Sequence, residues 1–322
     1  MDDLETVLLG EAVTLTREDV EAQAGVPADL AYDVWAAMGF AEVPPGEAAF
    51  TSRDVAALRT AAALLDLGVI DGDTLLVMAR AMGQGMARLA EAQVDVFRPL
   101  SAGLTVEDAV EAVRAAADQV LPKLDELVLF VWRRQFAAAV QRSLVTARED
   151  GMPVVAVGFL DLVDFTRSTR TWDAAQLERT LERFERDTSL RVAGVGGRVV
   201  KTLGDGVLYT TGTAADAVTV ALDTVEAHNA ADDLPLVRAG VAVGPVLVRL
   251  GDVFGQPVNL ASRLSDEARP GSVLVDRQAS EQLTESFEVR PLQRRSVRGY
   301  RSLAPFLVRR AQSGQRADAA PG

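Results

Sequence analysis

The chain of 322 residues contains no cysteine. Disulfides, thiolate metal sites and thiol nucleophiles are excluded with it. Histidine is nearly absent, and His228 is the only one. No histidine cluster can hold a metal within one chain, and no histidine-based triad can be assembled. Long apolar runs are missing too. Asp66 and Asp71 interrupt one candidate, and Lys123, Asp125 and Glu126 another, so no membrane span is expected. The opening residues, MDDLETVLLGE, lack a basic segment followed by an apolar one, so no signal peptide is read. These absences suit a reducing, cytoplasmic setting. Basic charge is scarce in the first half. Residues 1–150 hold 25 Asp+Glu against 12 Lys+Arg, whereas residues 151–322 hold 21 of each, so the net charge of −13 lies in the first half.

What the first half does contain is helix, with Ala and Leu at spacings of three and four from about Leu15 to Arg148. Thr16 and Asp19 form a capping box, and Thr51 or Ser52 caps a helix over Asp54–Leu67. Asp71 or Asp73 starts a helix that runs toward Val96, and Thr105 opens another through Gln119. Pro122 then reads as the first turn of a long linker helix ending near Arg148. Two short helices around Gly25-Val26-Pro27 have helix-turn-helix spacing, but Arg17 is their single basic residue, so a nucleic-acid partner is not expected. Met78, Met82 and Met86, four apart on one helix, read as core.

The second half carries three polar motifs. In the first, VVAVGFLDLVDFTRST over residues 154–169, a β-branched run ends at Asp161. Thr166, Ser168 and Thr169 follow, suited to a helix start or a phosphate-facing turn. A carboxylate beside free N–H groups suits a magnesium–polyphosphate site, and equally an ordinary strand with a capping Asp. The second, GRVVKTLGDGVLYTT over 197–211, reads as a hairpin with Asp205 at its tip. Val200 stands where a P-loop needs glycine before Lys201, so a P-loop is rejected. In the third, GDVFGQPVNLASRL over 251–264, Asp252 follows a strand over Leu236–Leu250. Gly255 permits a turn, Pro257 opens a helix, and Asn259 and Arg263 share one helix face. Such a face can hold a ribose and a phosphate, or simply be solvated.

Together FLDLVDFT, KTLGDG and DVFGQPVNLASR resemble the three signatures of class III adenylyl cyclases, over roughly residues 152–310. The resemblance implies a ferredoxin-like βαββαβ catalytic domain over residues 151–310, making the chain an α+β protein. It implies ATP as substrate and two Mg2+ or Mn2+ ions, with Asp161, Leu162 and Asp205 at the metals. Lys201 and Asp252 would read the adenine edge, Asn259 would position the ribose, and Arg263 would stabilise phosphate charge. Phe165, Thr166 and Arg298 would lie at the substrate, with Arg301 as an alternative to Arg298. Metal carboxylates and the Asn–Arg pair come from opposite subunits in such enzymes, so a homodimer would have two complete sites. Asp164 departs from the pattern, because that position is usually glycine.

The helical part, residues 1–121, and the linker helix, 122–150, resemble the layout of pH-sensing actinobacterial adenylyl cyclases. That implies inhibition by the first domain and release on acidification, with a lipid as a candidate ligand there. The first half has no histidine, so relief of carboxylate repulsion is the available route to a pH response. His228 is expected on a surface helix, and residues 311–322 as a disordered tail. A guanylyl cyclase, a non-catalytic nucleotide sensor and an acidic helix-turn-helix regulator stand as the alternatives.

Overall fold

The computed structural model describes residues 2–98, 103–165, 171–293, 295–297 and 300–311. The chain divides into two compact units, residues 1–137 and 138–322. The first holds α1 (Asp2–Leu9), α2 (Arg17–Ala24), α3 (Ala28–Met38), α4 (Ser52–Asp66), α5 (Gly72–Phe97) and most of α6 (Val106–Val145). Local caps set the starts. Thr16 and Asp19 close a capping box on α2, as Thr51 and Asp54 do on α4. The Asp71 carboxylate accepts from Thr74 N at 2.8 Å and opens α5. Val20, Val34, Phe50, Val55, Leu58 and Leu75 form the core of this unit.

Two expectations fail in the helical unit. Pro122 starts no helix but lies inside α6, which runs unbroken from Val106 to Val145. The missing N–H removes one backbone hydrogen bond, and good helix formers on both sides carry the helix through. The Met row is not core either. Leu75 and Ala79 are buried, but further along α5 Met82 and Met86 are 46% and 47% exposed.

The second unit begins with β1 (Arg148–Glu149), β2 (Met152–Leu162), α7 (Ala174–Gly194), β3 (Arg198–Leu203), β4 (Gly206–Thr211), α8 (Ala214–Asn229) and β5 (Val237–Pro245). It continues with β6 (Leu247–Arg249), β7 (Asp252–Phe254), α9 (Gln256–Glu267), β8 (Val273–Val275) and α10 (Arg277–Gln282). The last strands are β9 (Phe287–Pro291), β10 (Arg295–Val297), β11 (Tyr300–Leu303) and β12 (Phe306–Arg310). The main sheet has the order β3-β4-β2-β5-β8-β12-β9, with β1 paired to β2. Its first four strands, with α7 and α8, are the expected βαββαβ unit, and β2 lies between β4 and β5.

Strand alternation divides the core into two layers. Ala156, Leu160 and Leu162 of β2 pack with Phe184 of α7 and Ala217 of α8. Val157 on the opposite face packs with Leu208, Ala242, Ala261 and Leu264, under α9. Asp161 continues the odd-numbered series and therefore belongs to the α9 face. Gly240 of β5 allows the close approach of α9, since a Cβ there would lie 2.2 Å from the Ala261 carbonyl oxygen.

Two further expectations change. The strand read over Leu236–Leu250 is broken after Pro245, at Val246, into β5 and β6. Proline cannot donate to a ladder, and Val246 N turns to the Pro153 carbonyl at 3.0 Å. The strand β6 pairs with β7 in a separate two-stranded sheet. His228 is buried, not exposed: Nδ1 lies 2.8 Å from the Pro235 carbonyl, and the ring meets Phe184 edge-on. Strands β10 and β11 pair antiparallel in a sheet of their own. Arg298, Thr166 and the tail from residue 312 onward lie outside the described residues.

Candidate active site

The ends of β2 and of the β3–β4 hairpin bring Asp161 and Asp205 together. Asp161 is opposite Gly206 in the β2–β4 register, and the adjoining Leu162 N–H donates to the Asp205 carbonyl at 3.0 Å. Gly204 adopts φ 64° in the two-residue turn, which suits glycine. Burial pushes the Asp161 carboxyl up, and the negative charges of Asp205 and Asp266 add to that; Arg238 opposes the rise. Two adjacent carboxylates fit a hard divalent cation. The Leu162 side chain is buried in the opposite layer, so only its main chain could take part in such a site.

Sequence reasoning did not single out Arg238. It is opposite Asp161 in the β2–β5 register. Its Nε donates to Asp161 Oδ2 at 2.8 Å, and its Nη1 donates to the Asp266 carbonyl at 2.9 Å. Asp266 in turn accepts from Arg263 Nη1 at 3.2 Å. One chain of charges thus runs from Asp161 through Arg238 and Asp266 to Arg263 on α9. The only sequence signal for Arg238 is a basic residue near the start of an otherwise apolar strand.

Lys201 and Asp252 also meet, with Nζ 2.5 Å from Oδ2. Burial opposes ionisation of Asp252. The Lys201 hydrogen bond, the Val253 N–H and the charges of Lys201 and Arg198 outweigh it and hold the carboxyl below its ordinary value. The pair presents a fixed acceptor and a flexible donor side by side, as reading a base edge requires. Asn259 and Arg263 lie one turn apart on α9, which Gly255 and Pro257 start. Phe165 is half-buried and packs edge-on against Trp172 at 6.1 Å, a structural contact. Among the described residues no group of three or more His, Asp or Glu side chains gathers, and no helix is long and apolar enough to cross a membrane.

The family model for the adenylate and guanylate cyclase catalytic domain matches residues 148–310. An adenylate cyclase from Streptomyces coelicolor is 37% identical, over 97% of this chain and 90% of its own length. One from Streptomyces griseus is 40% identical, over 85% of this chain and 69% of its own. A Mycobacterium tuberculosis protein named a pH-sensitive adenylate cyclase is 30% identical, over 94% of this chain and 80% of its own. With its catalytic half matched to the cyclase domain and nearly all of it matched to the Streptomyces coelicolor enzyme, the chain belongs to the adenylate and guanylate cyclase family, as a class III adenylyl cyclase of the actinobacterial type.

Proposed function

We propose that the protein converts ATP to 3′,5′-cyclic AMP and pyrophosphate, by in-line attack of the ribose 3′-hydroxyl on the α-phosphorus. The observation that carries this reading is the formation of two pairs, Asp161 with Asp205 where β2 meets the β3–β4 hairpin and Lys201 with Asp252 where β3 meets the β6–β7 hairpin. Asp161 and Asp205 would hold two Mg2+ or Mn2+ ions, with Leu162 contributing only its main-chain carbonyl. Bound there, the ions would lower the pKa of the attacking hydroxyl and neutralise charge on the leaving oxygens. Asp252 accepts from the adenine N6 amino group, and Lys201 donates to a ring acceptor. Asn259 orients the ribose, and the guanidinium of Arg263 stabilises charge growing on the phosphates. Little covalent work falls to the protein, so its contribution is positioning and charge.

The working form is a homodimer whose sites combine the metal carboxylates Asp161 and Asp205 of one subunit with Asn259 and Arg263 of the other. Support comes from the helical region, where Phe130, Trp132 and Phe136 of α6 are each more than half exposed in the single chain. The helical unit regulates the catalytic one in response to pH; support for this is the concentration of negative charge before residue 150 and the likeness to the pH-sensitive mycobacterial protein.

The test is cyclic AMP production from ATP and Mn2+ by the full chain between about pH 5 and 8, the range a shifted carboxylate or histidine can cover. A chain starting at Arg148 and the Asp161→Ala and Asp205→Ala variants are run beside it. Product from both chain lengths, loss of at least about a thousandfold in each variant, and a steep pH response only in the full chain are expected. Turnover by Asp161→Ala at the wild-type rate would remove the proposed site, and identical pH curves would remove the regulatory role.

A further inference from the structure

The hairpin β6–β7 carries Asp252, yet it pairs with no strand of the main sheet. Its turn, Leu250-Gly251, has both residues at positive φ, 51° and 79°. Val253 anchors one side by burial in the α9 layer. On the other side Arg198 of β3 donates from Nη1 to the Gly251 carbonyl at 2.5 Å. That carbonyl belongs to the peptide joining Gly251 to Asp252. Holding it fixes the plane from which the Asp252 side chain departs.

Arg198 reaches this point because β3 is irregular. Arg198 and Lys201 are three residues apart, and in a regular strand they would face opposite sides. Here Arg198 pairs with Thr210 and Lys201 with Leu208, and the register shifts between Val199 and Lys201. Val200 is the extra residue of a bulge, a device that re-aims side chains. Thr210 and Leu208 are two apart, so Arg198 and Lys201 share a face. Both therefore meet the β6–β7 hairpin, one at the backbone of its turn and one at the Asp252 carboxylate.

We infer that Arg198 is a positioning residue for nucleobase selection, holding the Asp252 carboxylate where it accepts from adenine and repels guanine. The inference rests on the proposed base-reading role of Lys201 and Asp252. In the structure Asp252 Oδ1 accepts from Val253 N at 2.8 Å, and its own peptide is tied by Arg198, so the carboxylate is the stationary member of the pair. Lys201 is the long, flexible member that moves aside for a base. Guanine presents a carbonyl where adenine presents an amino group. A stationary carboxylate sets acceptor against acceptor there, which excludes GTP by an unpaired polar contact. Releasing the hairpin lets the carboxylate withdraw, and GTP is tolerated. The charge of Arg198 also favours the ionised Asp252 that this exclusion needs.

The experiment measures kcat and KM for ATP and for GTP in the full chain, unaltered and as Arg198→Gln, Arg198→Lys and Asp252→Ala. Arg198→Gln is expected to lower the ATP:GTP ratio of kcat/KM about tenfold, through loss of the backbone tie and the charge. Arg198→Lys keeps the charge on a shorter single-headed donor, and its ratio is expected to fall about threefold. A purely structural role would slow both nucleotides by one factor, and an unchanged ratio in Arg198→Gln overturns the inference. Should that variant not fold, an unchanged ratio in Arg198→Lys does so. Asp252→Ala separates the two levels. A collapsed ratio there beside an unchanged one in the Arg198 variants sinks only the Arg198 role, whereas an unchanged ratio in Asp252→Ala removes the base-reading assignment and this inference with it.

Discussion

Asp164 adopts φ 56°, in the left-handed region that L-residues other than Asn and Asp rarely enter. This explains in backbone terms why the resemblance leads one to expect glycine there. The chain takes the turn after β2 with a residue that tolerates the conformation at a cost. Asp164→Gly should therefore raise thermal stability, by up to about 1 kcal/mol. Thermal unfolding of the two proteins checks this, and a lower melting temperature in the glycine variant would show that contacts of the Asp164 side chain outweigh the backbone cost. Other single residues were readable for a related reason. Thr16, Thr51 and Asp71 cap their helices through partners three residues away, so sequence alone contains both halves of each contact. Arg238 and His228 were not readable. Arg238 gains its meaning from Asp161, 77 residues away and adjacent only once β2 pairs with β5. His228 is enclosed by Phe184 of α7 and the Pro235 carbonyl, and a helical pattern within α8 contains neither.

Elements with local signals were legible, and those whose ends depend on neighbours were not. The hairpin β3–β4 announces itself through Gly204-Asp205, but its bulge at Val200 is visible only in the pairing with β4. Proline misleads in both directions: Pro122 lies within α6, while Pro245 ends β5. The helix α9 shows how one element can set a site. It approaches β5 at Gly240, where a Cβ would lie 2.2 Å from the Ala261 carbonyl and 2.3 Å from Ser265 N. Both obstacles are main-chain atoms, so no side chain can rotate away. In Gly240→Ala the whole helix must lift, carrying Asn259, Arg263 and Asp266 with it. We expect a loss of about 1–3 kcal/mol of stability from overpacking. We also expect at least about a tenfold fall in kcat below the unfolding temperature, because sub-ångström positioning governs the chemistry. Denaturant titration and turnover at low temperature separate the two effects. Wild-type kcat in a folded Gly240→Ala protein would mean that α9 need not be held at this distance.

At the scale of the whole molecule the two units have different acid–base chemistry. The helical one has no histidine, and the carboxylates of Glu11, Asp19 and Asp71 are held below their ordinary values, chiefly by local hydrogen bonds to hydroxyls and N–H groups. Their contribution to stability is present above the ordinary carboxylate range and is lost only as pH falls through still lower values. The catalytic unit holds His228. Burial lowers its pKa from 6.5, Arg183 and Arg191 lower it further, and the Pro235 carbonyl and Asp187 oppose them. The folded protein therefore binds this proton less readily than the unfolded chain. His228 contributes stability that is complete above pH 6.5 and is lost as pH falls from there through the depressed folded value. Scanning calorimetry of the full chain should show a catalytic-unit transition that moves down between about pH 7.5 and 5.5, and a helical-unit transition that does not. His228→Phe keeps an aromatic ring against Phe184 but leaves the Pro235 carbonyl without its partner. It should melt lower at the upper pH and lose the dependence on acid. A variant that retains the full acid shift would place the responsible proton elsewhere, and not on the carboxyl of Asp276, whose pKa burial raises and which therefore gains stability as pH falls.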